Sequence, residues 1–362
     1  MGNNVHKPPS TRDLPASNLS DFYVACRNGA VDMVQNHLKT IRIEDMNRLE
    51  PNGSTALHAA SYNGHTTIVQ EILKTDKAIR STRNRFGFTA SDEAKTLEIK
   101  RLFYRPISDQ YRFRGNDTKT EWTKADAGDE KRAAQKRWYS TDTWNNPSVD
   151  GDVNHIVKDY LDKSIYNIKG IDLIRWFMNK AREEDNAIYV IKAYTAETEY
   201  YRVLNNQLVE ETKEHNSYGL SRIVDIMCNH PSLNTYVFKG YTNRGMKISD
   251  DDLTHYPIGT RVINKAFLST STDQQVAEGF ASSSKTYDDG KMSGLCIYKI
   301  RNERSAFDIT KISEYSFEKE ILIIPGCIFE VKVIQRLHAG ITIELEECPP
   351  FELKFENGFP VD

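Results

Sequence analysis

Asn52-Gly-Ser-Thr-Ala-Leu-His-Ala-Ala60 returns 34 residues later as Phe86-Gly-Phe-Thr-Ala-Ser-Asp-Glu-Ala94. A partial earlier copy, Phe22-Tyr-Val-Ala-Cys-Arg-Asn-Gly29, matches Asn63-Gly64 through its final Asn-Gly at a similar offset. Such a period marks a stack of small helical units, because one unit cannot bury its apolar face alone. Gly53 and Gly87 fall where a tight turn needs positive φ. Thr55 is placed to satisfy free backbone N–H groups at a helix start, and Gly64 to end that helix. Ile68-Val69 with Ile72-Leu73 give the next helix its apolar stripe.

These lines resemble ankyrin repeats over residues 17–106, most fully in the middle copy. An array of this kind carries no chemistry of its own. It either stabilises the domain that follows or docks a protein partner, and the sequence favours neither role. His58 belongs to the repeat pattern and reads as structural.

Outward from the repeats, residues 1–16 read as a disordered terminus and 107–150 as a polar linker. In that linker Trp122, Trp138 and Trp144 suggest pinning to a neighbouring surface. From residue 151 to 350 the pattern is that of an α+β domain, with 351–362 as a tail. Residues 156–184 have helical periodicity, as do Glu199–Glu211 and the stretch 219–229. Ala187–Ala193 reads as a strand, and so do Thr235–Lys239, Lys265–Ser269, Gly294–Ile300, Glu320–Ile324, Ile328–Gln335 and Ile341–Glu346. Helices first and strands later predict split antiparallel sheets rather than a doubly wound one. The expected class is therefore α+β: an all-α array, then a mixed domain. No Gly-x-Gly-x-x-Gly occurs, so a Rossmann site is not supported.

Composition bounds the function. The formal net charge of -3, without a long basic block, argues against nucleic acid as a partner. Five scattered cysteines have no zinc-ligand spacing and read as buried thiols; no metal is expected. No apolar run is long enough to span a bilayer, and the polar opening lacks a signal-peptide core, so the expected location is cytoplasmic. Gly2 could accept a myristoyl chain, but His6 stands where that motif wants Ser or Thr.

Three segments carry the chemistry: Tyr236-Val-Phe-Lys-Gly-Tyr241, then Ala266-Phe-Leu-Ser-Thr-Ser-Thr-Asp273, then Ile312-Ser-Glu-Tyr-Ser-Phe-Glu-Lys-Glu-Ile-Leu-Ile-Ile-Pro-Gly326. Each alone is weak, since Ser-Thr-Ser and Glu-Lys-Glu are common on solvated surfaces. In this order they resemble the R-S-E signature of arginine-specific mono-ADP-ribosyltransferases: an Arg on an early strand, a Ser-Thr-Ser segment, and a Glu-x-Glu loop leading into a later strand. Tyr194-Thr-Ala-Glu-Thr-Glu-Tyr-Tyr-Arg-Val-Leu-Asn205 is similar to the helical lead-in of that family. The resemblance covers about residues 150–347.

It implies NAD as co-substrate and, as acceptor, a protein with an exposed arginine. Cleaving nicotinamide from its ribose leaves an oxocarbenium-like carbon that a nearby carboxylate stabilises, and the resemblance gives this role to Glu320. Glu318, two positions earlier on an extended chain, would face the same way and grip the incoming guanidinium. Ser269 would buttress Glu320 and touch NAD, with Thr270 and Ser271 holding the strand. Phe280 could face nicotinamide or lie in the core. Gly240 would let backbone approach the nicotinamide amide. Lys239 stands where the family has an Arg that makes forked contacts with NAD phosphate and local backbone; lysine keeps the charge but loses the planar fork. Arg244, a few residues on, could supply the missing group, but it reads more readily as an ordinary loop arginine. An NAD glycohydrolase and a catalytically silent adaptor are the competing readings.

Overall fold

The computed structural model describes residues 19–105, 114–115, 122–143, 148–210, 218–282, 291–337, 340–356 and 359–361. The terminus expected to be disordered, 1–16, lies outside them. The chain divides into two compact units, Met1–Arg105 and Pro106–Asp362.

The first unit is helical: α1 (Asp21–Asn28), α2 (Val31–Leu38), α3 (Ile43–Met46), α4 (Ala56–Asn63), α5 (Thr66–Leu73) and α6 (Leu97–Leu102). The local chemistry is that of the repeat. Ser20 caps α1 by accepting from Tyr23 N–H, and Thr55 caps α4 by accepting from His58 N–H. Gly64 closes α4 at φ +88°, and its N–H donates back to the Ala60 carbonyl. Ile68, Val69, Ile72 and Leu73 are buried against Phe22, Ala25, Leu57 and Ala60. In the last copy Asp92 accepts from both the N–H and hydroxyl of Thr89. That local bonding competes with the helix ladder, and residues 90–93 form turns instead of a counterpart of α4.

The second unit begins with β1 (Arg114–Gly115) and β2 (Trp122–Lys124), followed by helices: α7 (Ala127–Thr143), α8 (Asp150–His155) running into a π-helical turn Ile156–Leu161, α9 (Ile171–Glu183), α10 (Ile188–Thr195), α11 (Tyr200–Glu210) and α12 (Tyr218–Asn229). The sheet comes after them: β3 (Gly240–Ile248), α13 (Asp250–His255), β4 (Arg261–Asn264), β5 (Leu268–Ser271), α14 (Gln274–Ser282), β6 (Met292–Ile300), β7 (Ala306–Asp308), β8 (Glu320–Ile323), β9 (Ile328–Leu337), β10 (Gly340–Glu347), β11 (Lys354–Glu356) and β12 (Phe359–Val361). The sheet order is β2-β4-β9-β10-β6-β3-β5-β8-β7, with β1 beside β3. It is mixed, because β6 and β10 run parallel while most other pairs are antiparallel. Its two halves join where β3 meets β5 at one residue pair, Asn243 with Ser271. The split expected from the sequence is thus a narrow seam within one strand order.

Four expectations need correction. The run Ala187–Ala193 is not a strand but enters α10; Ile188, Ile191 and Thr195 share a helical face, and its β-branched residues pack into helical core at Val190 and Ile191. Thr235–Lys239 is not a strand either. Pro231 opens a 3₁₀ turn through Tyr236, its fixed φ suiting a helix start, and the strand begins at Gly240. The stretch 107–150 is more than a linker: β2 pairs with β4, and buried Trp122 donates its indole N–H to the Tyr298 hydroxyl at 3.1 Å. One aromatic anchor is enough to hold a polar segment in the sheet. Likewise the tail 351–362 carries the β11–β12 hairpin.

Candidate active site

β5 and β8 bring the serine and glutamate segments together. They pair antiparallel with Leu268 opposite Ile323, Ser269 opposite Leu322, Thr270 opposite Ile321 and Ser271 opposite Glu320. Alternation places Ser269, Ser271, Glu320 and Leu322 on one face of this ladder and Thr270 on the other. Thr270 is used internally: its hydroxyl donates to the Ile321 carbonyl at 2.7 Å and accepts from Thr242 at 2.7 Å. Ser271 ties the strand to the acidic loop, donating from Oγ to the Glu318 carbonyl at 2.7 Å.

Glu318 and Glu320 are each 0% exposed. Contrary to the expectation of an extended chain, Glu318 ends a 3₁₀ turn (Ser316–Glu318), and Lys319 has left-handed backbone at φ +47°. The alternation argument therefore does not apply between the two glutamates. A non-glycine residue in that region stores strain unless its surroundings hold it. Here the Lys319 ammonium lies 3.0 Å from Asp273, the Lys319 carbonyl accepts from Thr272 N–H, and the Lys319 ammonium holds the Asp273 carboxyl below its usual range. Upstream, Ser313 lies 3.5 Å from a Glu320 oxygen, at the long limit of a hydrogen bond. The Tyr315 hydroxyl donates to Glu197 at 2.8 Å, and Glu314 N–H donates to Thr195 at 3.0 Å. The loop is thereby fastened to the end of α10 and the turn after it.

The two basic residues differ sharply. Lys239 has a side chain 47% exposed and forms an ion pair with Glu303. It precedes β3, whose first residue, Gly240, has φ +138° and would bring a Cβ to 3.3 Å from the Phe238 ring. Arg244 is not a loop residue. It sits inside β3, is 4% exposed, and donates from Nη1 to the Ser269 carbonyl at 2.7 Å. Beside it, Asn243 donates from Nδ2 to the Ser271 carbonyl at 3.1 Å. The structure brings Arg244, not Lys239, to the seam with the serines and glutamates. The available signal was the Arg-Gly pair within Thr242-Asn-Arg-Gly-Met246, a stretch with strand character. Phe280 lies on α14, and its side chain is outside the described residues.

A family model for ankyrin repeats, in three copies, matches residues 22–97. No curated protein matches the chain. Among solved structures, the Vis toxin, an ADP-ribosyltransferase from Vibrio splendidus, is 16% identical, with a TM-score of 0.36, covering 63% of this chain and 88% of its own. The ADP-ribosyltransferase HopU1 of Pseudomonas syringae is 16% identical, with a TM-score of 0.36 and coverage of 62% and 99%. Exoenzyme S of Pseudomonas aeruginosa, solved with a 14-3-3 protein, is 18% identical, with a TM-score of 0.36 and coverage of 54% and 88%. Residues 22–97 are ankyrin repeats, and the strand-rich unit after them is similar to ADP-ribosyltransferases.

Proposed function

We propose that the second unit transfers ADP-ribose from NAD to arginine side chains of proteins and releases nicotinamide. The observation that supports this reading is the meeting of Arg244, Ser269, Ser271 and Glu320 on three adjacent strands, with Glu318 in the turn entering the last of them.

In this reading Glu320 lies beside the nicotinamide ribose. As the glycosidic bond breaks, its electron pair leaves with the nicotinamide nitrogen, and the carboxylate stabilises the positive ribose carbon. A site screened from water strengthens that interaction. Glu318 orients the acceptor guanidinium through paired charge-assisted hydrogen bonds and takes the proton it loses on attack. Ser269 and Ser271 fix the strand beside Glu320. Arg244 takes the place of the family arginine: its guanidinium is anchored to the Ser269 carbonyl and puts a planar cation beside the site, suited to an NAD phosphate. Gly240 would border the nicotinamide. Both carboxylates are buried, so NAD binding requires side chains around them to move aside.

The acceptor is a protein with an exposed arginine, and the ankyrin repeats dock it or another protein partner. No metal is required for these steps. The test is incubation with NAD and an arginine analogue, following nicotinamide, ADP-ribosyl-arginine and free ADP-ribose. Nicotinamide and ADP-ribosyl-arginine should accumulate together. Free ADP-ribose alone would make the protein a glycohydrolase, and an absence of NAD turnover would leave it an adaptor.

A further inference from the structure

The second unit contains a cavity of about 540 Å³ that Glu318 and Glu320 do not line. It opens among α7, α12, β2, β4 and the turn after β8. Its apolar wall is made of Val224, Cys228, Ile263, Ile324 and Pro325. Its charged wall carries Lys124, Arg132 and Lys265 against Asp129 and Asp225.

The charges do not cancel. Arg132 holds Asp129 at 2.6 Å, and Asp225 is held at 2.7 Å by Arg222, which is not part of the wall. Among the described residues, the ammonium groups of Lys124 and Lys265 make no ion pair and no side-chain hydrogen bond. Ligand sites commonly enclose roughly 300–1,000 Å³ of mostly apolar wall with a few placed polar groups. Two uncommitted cations beside such a wall select for a negative headgroup on an apolar body.

We propose that this cavity binds an amphipathic organic anion, its apolar body against Val224, Ile263 and Ile324 and its acidic group between Lys124 and Lys265. The cavity is lined by Lys265, three residues before β5, and by Ile324, directly after β8, at the end of that strand pair remote from Ser271 and Glu320. Asn264 braces that end: Nδ2 donates to the Ala266 and Ile324 carbonyls at 2.8 Å each, and Oδ1 accepts from Cys327 N–H at 2.8 Å. A ligand there contacts the brace without entering the acidic loop. The inference stands independently of the NAD chemistry, because its readout is binding alone.

The probe is anilinonaphthalene sulfonate, titrated into the full chain by fluorescence. The wild type should show one saturable site. A Lys124→Ala/Lys265→Ala variant should bind about tenfold more weakly, the loss expected for two partly exposed charge contacts. Neither lysine has a side-chain partner among the described residues, so this variant should keep the wild-type melting temperature. A second variant, Val224→Trp, should fill the cavity and abolish the site. The uncharged parent compound without the sulfonate should bind more weakly than the probe. Absence of saturable binding, wild-type affinity in the double variant, or equal affinity for the uncharged parent would each overturn the proposal.

Discussion

The guanidinium of Arg244 donates to the Ser269 carbonyl at 2.7 Å across the seam where β3 and β5 share one residue pair. The bond links the two halves of the sheet at the place where ladder bonding between them is thinnest. It also leaves a rigid cation beside the strand that faces Glu320.

Arg244→Lys therefore tests two functions of one side chain. Lysine keeps the charge but cannot reach the carbonyl in the same planar geometry. Losing a buried charged hydrogen bond should cost about 1–3 kcal/mol of stability. The Michaelis constant for NAD should rise about tenfold, equivalent to roughly 1.4 kcal/mol of binding. Lys239→Ala, at an exposed surface pair, should change stability by less than about 0.5 kcal/mol and leave the NAD constant unchanged. Thermal melting and steady-state turnover read both. A larger NAD defect in Lys239→Ala than in Arg244→Lys would return the phosphate contact to Lys239.

Glu320→Ala removes the carboxylate opposite Ser271. Losing one preorganised electrostatic group should lower the transfer rate at saturating NAD by about a hundredfold or more. Single-turnover release of nicotinamide measures the step directly. Wild-type release in a variant that still melts cooperatively would remove Glu320 from the chemistry.

Glu318→Gln separates acceptor from donor. A carboxamide has the shape of the carboxylate but cannot accept the acceptor's proton or pair with a guanidinium. Arginine modification should fall about tenfold or more relative to NAD cleavage, the effect of losing one charge-assisted contact. Equal losses in both reactions would mean that Glu318 serves the NAD side or the fold of the loop.

The parts of this architecture that were legible in the sequence are those set by local chemistry. Thr55 and Gly64 announce the two ends of α4, and β6 and β10 follow the alternation that one buried face of a sheet imposes. Ile188–Thr195 misleads because its β-branched and aromatic residues suit a buried helix as well as a strand, and period alone does not separate them. Arg244 reads as a loop residue because the sequence pattern puts the strand at Thr235–Lys239, five residues before β3 starts at Gly240. Moving that boundary carries the arginine from a loop into the seam. The bend at Lys319 has no signal in Glu-Lys-Glu, since it depends on Asp273 and Thr272 from another element.

His58 gives the repeats a pH dependence separate from the chemistry. Its Nε2–H donates to the Phe88 carbonyl at 3.0 Å, which leaves Nδ1 to accept from the Thr55 hydroxyl at 2.7 Å. That arrangement is filled by the neutral ring, and burial pushes the imidazole below its ordinary value of 6.5. The unfolded chain takes the proton near that ordinary value, so between the two values it binds more protons than the folded repeat. Stability contributed by neutral His58 is complete above 6.5 and declines as the pH falls through it. Hydrogen exchange of the α4 amides, compared between wild type and His58→Asn from about pH 7.5 to about 5.5, should show protection lost on acidification in the wild type and a flatter profile in the variant. Parallel profiles would mean that acid destabilisation of the repeats arises from other groups, and that the Thr55–His58–Phe88 bridge survives protonation.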